Sequence, residues 1–207
     1  MSLCMILSTP CGIVVSADRR IVTTTSDGES FVLTDHEKKI FISNDHVYTH
    51  CGTSSTDDLP VAPHLDFYLK RTQAKGVPFR YEFESLKSYL RDDLKATPSI
   101  LMGGAFDQGQ RSIANSNLSS STNWSRPDEN TFFFSGASVI AKKIIDIYLC
   151  DRNKFPLQES IDYLRFINYA VAKTQHFTQV PQTVSEACDI AVITEDGARF
   201  IAPRTLV

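Results

Sequence analysis

Asp18, Arg19 and Arg20 end an apolar run, Ile13-Val14-Val15-Ser16-Ala17, so one buried strand delivers a carboxylate and two guanidinium groups at a single point. Charged groups at the end of a buried strand need partners, and strand ends are frequent places for catalytic groups. An earlier apolar run, Cys4-Met5-Ile6-Leu7, is separated from the first by Ser8-Thr9-Pro10-Cys11-Gly12. Two short runs rich in β-branched residues around a Pro/Gly turn read as a hairpin. That hairpin returns the start of the chain, with Ser2 and Cys4, to the neighbourhood of the Asp18 carboxylate. Downstream, Lys39 precedes a third apolar run, and His50 stands beside Cys51. A Cys–His dyad from that last pair is disfavoured, because adjacent strand residues point to opposite faces. Residue types alone leave bland readings open. Asp18 with Arg19 and Arg20 is also a structural ion pair, Lys39 a solvated edge-strand lysine, and Cys4 a small core residue.

The elements that position these residues follow from periodicity. Near-continuous apolar character in both arms of the first hairpin indicates strands covered on both faces. Ile21–Thr25 stays extended to a turn at Ser26–Glu29. Lys38–Ile42 and Val47–Cys51 form a second hairpin, turning at Ser43–His46. Gly52–Asp58 offers several N-caps, and Pro60 and Pro63 fit only a helix's first turn, so its body is expected over Leu65–Ala74. Phe83, Leu86, Leu90 and Leu94 repeat at helical spacing up to Pro98. Ser99–Phe106 and Arg111–Asn117 read as paired strands in which Gly103-Gly104 serves packing, since no helix follows to bind a phosphate. Ser116–Asn130 is polar and reads as a flexible loop carrying Trp124. Thr131–Phe134 returns to strand. Two helices follow, one with Val139, Ile140, Ile144, Ile147 and Tyr148 inward and one with Ile161, Leu164, Ile167 and Val171. Gln175–Ser185 is a polar connection, and Cys188–Thr194 with Ala198–Ala202 closes the chain as a hairpin. Cys11, Cys51, Cys150 and Cys188 read as core or wall residues.

Helices thus arrive in consecutive pairs between groups of strands. This order predicts an α+β fold, a four-layer α-β-β-α sandwich of two antiparallel sheets flanked by helix pairs, over residues 1–207 as one domain. The 207 residues, 42% hydrophobic and 22% charged, suit a soluble globular chain. A net charge of −3 gives no nucleic-acid surface, and no run approaches the roughly 20 apolar residues of a membrane span. Five scattered cysteines without a CxxC pair point to a reducing, cytoplasmic compartment and away from a structural metal or a disulfide framework. No cofactor is implied.

Six segments in order resemble the proteasome β-type subunits and their bacterial relatives among the N-terminal-nucleophile hydrolases. Gly12–Arg20 resembles the family's second strand, ending Ala-Ala-Asp-Ser-Arg. Glu37–Phe41 resembles Val-Lys-Lys-Ile, and His50-Cys51-Gly52 resembles an Ala-Gly stretch. Ile100–Asp107 resembles Ile-Gly-Gly-Trp-Asp, Phe134–Ser138 resembles Gly-Ser-Gly-Ser, and Val192–Ile201 resembles the closing Val-Ile-Thr-Lys-Asp-Gly hairpin. The resemblance implies amide or peptide hydrolysis by a Thr, Ser or Cys at the mature N-terminus, whose α-amine is the general base. It assigns the aspartate role to Asp18, the lysine role to Lys39 and the oxyanion-hole backbone to Gly52. The nucleophile falls on Ser2 in an ungapped alignment, provided Met1 is removed. It falls on Cys4 if Met1-Ser2-Leu3 is a leader, and Cys4 is preferred here because a thiol is the better nucleophile near neutral pH. Of the family's later Asp and Ser, only Ser185 offers a match. The interval from Asp18 to Lys39 is longer than in the family, consistent with an enlarged loop over Ser26–Thr34. Relatives build rings, so a homo-oligomer (ring or dimer) is expected, with any regulatory ATPase partner left unassigned. A catalytically silent assembly subunit and a small-molecule Cys-type amidase are the alternatives.

Overall fold

The computed structural model describes residues 2–25, 27–56, 59–72, 76–107, 109–147, 151–178 and 181–202. The expectations placed on Met1, Ser26, Asp57, Asp58, Ala74, Gln108, Tyr148 and Cys150 fall outside these residues.

Strand alternation builds the layers. Strands β1 (Leu3–Thr9) and β2 (Gly12–Asp18) are buried along their whole length, as the unbroken apolar runs require. Leu3, Met5, Leu7 and Val14 face one way, while Cys4, Ile6, Ile13, Val15 and Ala17 face the other. The chain continues through β3 (Ile21–Thr24), β4 (Ser30–Thr34), β5 (Ile40–Ser43), β6 (His46–Gly52) and the short β7 (Ser55–Thr56) and β8 (Leu59–Pro60). Helices α1 (Val61–Thr72) and α2 (Phe79–Ser88, extended by a wider turn over Tyr89–Asp93) precede β9 (Ser99–Asp107), β10 (Gln110–Asn117), β11 (Asn123–Trp124) and β12 (Phe132–Gly136). Helices α3 (Ser138–Ile147) and α4 (Leu157–Phe177) lead to β13 (Cys188–Thr194) and β14 (Gly197–Ile201).

Two five-stranded sheets result, in the orders β12-β1-β2-β13-β14 and β11-β10-β9-β6-β5, with antiparallel pairing throughout. α3 and α4 cover the outer face of the first sheet through Ile145, Ile161, Leu164, Ile167 and Val171. α1 and α2 cover the outer face of the second through Leu65, Leu69, Phe83 and Leu86. Between the sheets, Ile6, Val15, Val47, Met102, Ile113 and Ile193 form the third apolar layer. This is the expected α-β-β-α sandwich. Among the described residues, no helix is long and apolar enough to cross a membrane.

Gly103 and Gly104 do serve packing: a Cβ on Gly103 would stand 2.9 Å from Tyr48 Cδ1, and one on Gly104 would stand 3.0 Å from Ile6 and Ile13 side-chain carbons. Two local readings change. On α3 Ala141 and Ile145 are buried and Ile140 and Ile144 pack beside them as expected, whereas Val139 and Ile147 are exposed. A helix apolar on several sides carries no unique face in its periodicity, and tertiary packing chooses. The polar stretch before β12 is also docked. β11 pairs with β10, Asp128 accepts the Arg111 backbone N–H, and Trp124 packs edge-on against Phe79 and Phe83 with the Arg80 guanidinium over its ring. Single aromatic anchors hold a loop in a way that composition does not announce.

Trp124 is the chain's one tryptophan, so its fluorescence reads this docking directly. In a urea titration the fluorescence and far-ultraviolet circular dichroism transitions are expected to coincide. A fluorescence change completed before the dichroism transition would mean that the loop detaches on its own.

Candidate active site

Asp18 sits at the last position of β2, where the strand leaves the sheet, and its carboxylate is fully buried. Four donors surround it. Oδ1 accepts the Leu3 backbone N–H at 2.8 Å and Lys39 Nζ at 3.0 Å. Oδ2 accepts the Arg20 backbone N–H at 2.8 Å and the Ser185 backbone N–H at 3.4 Å. A buried charge is tolerable only when paired and hydrogen-bonded in this way. Arg19 and Arg20 do not pair with Asp18 through their side chains. Arg19 pairs with Asp189, and Arg20 makes a two-pronged pair with Asp35 at 2.7 and 2.8 Å. The structural ion pairs at this strand end therefore belong to the arginines, leaving Asp18 to the lysine.

Lys39 comes immediately before β5, and its side chain is 8% exposed. Its ammonium has three acceptors: Ser2 Oγ at 2.7 Å, Asp18 Oδ1 at 3.0 Å and the Arg20 carbonyl at 2.6 Å. All three of its N–H donors are thereby used, and one points at the hydroxyl of the residue just ahead of β1. Ser2 itself is fixed by the backbone. Its carbonyl accepts the Ala137 N–H at 2.8 Å, and the next residue is bound to Asp18. Gly136 permits that contact: its φ is +102°, and a Cβ there would lie 1.5 Å from the Ser2 carbonyl oxygen.

Cys4 is placed differently. It lies inside β1, paired with Ala17 of β2 and Ser135 of β12, and has no exposed surface. Its thiol points between the sheets, donates to the His50 carbonyl at 3.6 Å and faces Cys51. The neighbouring Cys51 thiol and burial push it well above the usual thiol range, and the Cys51 thiol is correspondingly lowered. Of the two nucleophile candidates, Ser2 is the one against Lys39. Ser2 and Cys4 lie on the same face of the chain, so parity could not separate them; depth within the strand does.

Ser2, Lys39, His50 and Gly52 line one small cleft, closed by Phe41 and by Val61 at the start of α1. Gly52 has φ +139°, and a Cβ would stand 2.6 Å from the Pro98 carbonyl, so the end of β6 accepts only glycine without displacement. Ser185 is not in this cleft. Its N–H bonds Asp18, and its hydroxyl accepts the Arg19 N–H at 3.0 Å and donates to the Ala187 carbonyl at 2.6 Å. It supports the carboxylate from behind. The chain between Asp18 and Lys39 forms the β3–β4 hairpin, where the long interval was noted, and its Ile21 and Val22 reach the cleft's rim.

His50 was not singled out as a site residue by its sequence. Its imidazole is buried beside Lys39, and its Nε2 has no hydrogen-bond partner among the described residues. Burial, then the Lys39 charge, push its pKa down to about 4 from 6.5. The folded value lies below the unfolded one, so its contribution to stability is complete above pH 6.5 and is lost as pH falls toward 4. At pH 5 the loss is about 2 kcal/mol. His50→Gln is expected to flatten the urea stability profile between pH 7 and 5 by about that amount; parallel profiles would show that His50 is not the titrating group.

No family model and no curated protein sequence matches the chain. Solved structures do. A Gly-1 mutant of Anbu from Hyphomicrobium sp. strain MC1 aligns over 98% of this chain and 85% of that one, with a TM-score of 0.70 and 14% identity. Anbu from the same strain aligns over 97% and 87%, with a TM-score of 0.65 and 13% identity. At these identities the likeness speaks for architecture: the chain has the proteasome-like fold of Anbu.

Proposed function

We propose that residues 1–207 form one N-terminal-nucleophile domain that hydrolyses amide or peptide bonds, with Ser2 as nucleophile once Met1 has been removed. The observation that carries this reading is the Lys39 ammonium, held by Asp18 and the Arg20 carbonyl and directed at Ser2 Oγ over 2.7 Å. Such a neighbouring cation favours the alkoxide over the hydroxyl. In this reading Ser2 Oγ attacks the substrate carbonyl while its proton passes to the free Ser2 α-amine. The carbonyl π electrons move onto oxygen, which the backbone at Gly52 stabilises. Collapse expels the amine, which leaves with the proton from the α-amine, and water then hydrolyses the Ser2 ester. Asp18 orients Lys39 and balances its charge, and Ser185 holds Asp18.

Self-association in a reducing, cytoplasmic setting belongs to the same reading. The hairpin beside the cleft carries Phe31, Val32 and Leu33 on its surface, apolar area that a second copy would cover. Light scattering on the purified chain is expected to return a multiple of 23.2 kDa.

A panel of fluorogenic peptide amides tests the chemistry. Ser2→Ala and Lys39→Ala are each expected to lower kcat/KM by about a thousandfold or more; Ser2→Ala should keep its thermal midpoint to within a few degrees, while Lys39→Ala, which strands the buried Asp18 carboxylate, should also lose stability. Cys4→Ala is expected to stay within about tenfold of the parent. Full turnover by Ser2→Ala would overturn the assignment, and loss only in Cys4→Ala would return the nucleophile to the thiol.

A further inference from the structure

We propose that Asn168 and Gln175, on the inner face of α4, are positioning residues for the Asp18–Lys39 pair, acting through the backbone of residues 183–186; the proposal rests on Ser2, Lys39 and Asp18 being the hydrolytic site.

The two amides interrupt an apolar stripe. Ile161, Leu164, Ile167 and Val171 bury α4 against the first sheet. Asn168 and Gln175 lie seven residues apart, hence on one face, and are 0% and 2% exposed. Both turn to the segment ahead of β13. Residues 181–187 belong to no strand or helix, yet Thr183, Val184 and Ser185 are buried, so their backbone groups need partners that no ladder supplies. Gln175 Oε1 accepts the N–H groups of Thr183 and Val184, both at 3.0 Å, and its Nε2 donates to Thr183 Oγ1 at 2.9 Å. Asn168 Nδ2 donates to the carbonyls of Ser185 at 2.9 Å and Glu186 at 3.1 Å.

The other side of the same segment holds the carboxylate. The Ser185 N–H reaches Asp18 Oδ2 at 3.4 Å, and the Ser185 hydroxyl accepts the Arg19 N–H at 3.0 Å. At 3.4 Å a hydrogen bond is near the end of its range, so a small retreat of the segment breaks it. Oδ2 then keeps only the Arg20 N–H, and the carboxylate is free to turn away from Lys39. Stability alone does not account for Asn168. Its Oδ1 is buried without a partner among the described residues, a cost that a side chain chosen for packing would not carry. Neither amide lines the cleft, so their effect reaches Ser2 only from Ser185 through Asp18 to Lys39.

The full chain with Met1 removed is compared with three variants. Asn168→Leu and Gln175→Met keep the side-chain volume and lose the hydrogen bonds, whereas Gln175→Glu keeps the acceptor for residues 183 and 184. Exchange of the Lys39 ammonium protons with water is followed by nitrogen-15 NMR, and kcat and KM are measured on the peptide amides. Asn168→Leu and Gln175→Met are each expected to speed the exchange about tenfold and to lower kcat about tenfold, with KM within about twofold of the parent. Gln175→Glu is expected to recover most of both losses. Exchange unmoved in both isosteric variants overturns the proposal even where the thermal midpoint falls, since the amides would then serve only the backbone. Faster exchange with unchanged kcat, in an active parent, overturns it as well. Faster exchange in a chain whose parent turns over no substrate upholds the link to Lys39 and sinks the hydrolase reading alone. A parent ammonium that exchanges too fast to follow contradicts its three acceptors and overturns both.

Discussion

The ammonium of Lys39 is a positive charge kept almost out of water, and the rest of the site exists to make that tolerable. Its Coulomb attraction to Asp18 at 3.0 Å would not by itself offset the desolvation of two ions. The arrangement holds because every polar position is filled. Lys39 spends three donors on three oxygens, and Asp18 accepts four hydrogen bonds from four segments of chain. Three of those four donors are backbone groups, so the carboxylate ties β1, the β2 exit and the segment before β13 to one point. Ser2 is placed by the same contacts that neutralise the buried pair.

The sandwich explains why such a site can form at the sheet ends. β1 and β2 are covered by helices on one face and by the second sheet on the other, so only their termini can present a polar group. Asp18 is the first charged residue where β2 ends, and Ser2 is the residue just before β1 begins. The β5–β6 hairpin of the opposing sheet brings Lys39, His50, Cys51 and Gly52 across the gap. Gly136 and Gly52 are the two places where the backbones come too close for a side chain. The candidate site is thereby confined to the seam between two sheets.

Much of this was legible in the residues. Period-two alternation and paired helical stretches gave the layer order, and Asp18, Lys39 and Gly52 could be matched to motifs that keep their order along the chain. Ser2 against Cys4 was harder, because two residues of equal parity differ only in how far into the sheet they lie. Chemical reactivity argued for the thiol, while the position of the Lys39 Nζ, which no local sequence encodes, favours the hydroxyl. The α3 face was right at Ile140 and Ile144 and wrong at Val139 and Ile147, because the helix's apolar residues spread around it. Trp124 looked like part of a free loop because its aromatic partners on α2 are about 40 residues away in sequence. His50 and Cys51 carried no signal in sequence beyond their adjacency, since only the fold shows that His50 turns to the cleft and Cys51 to the layer between the sheets.

The most direct measurement maps where the chain is acylated. Protein with Met1 removed is treated with a slowly hydrolysed acylating electrophile, digested, and the adduct is located by tandem mass spectrometry. One adduct on Ser2, absent when Lys39 is replaced by alanine, is the expected result. An adduct on Cys4, or equal labelling of Ser2 with and without Lys39, would contradict the lysine-activated hydroxyl at the centre of the site.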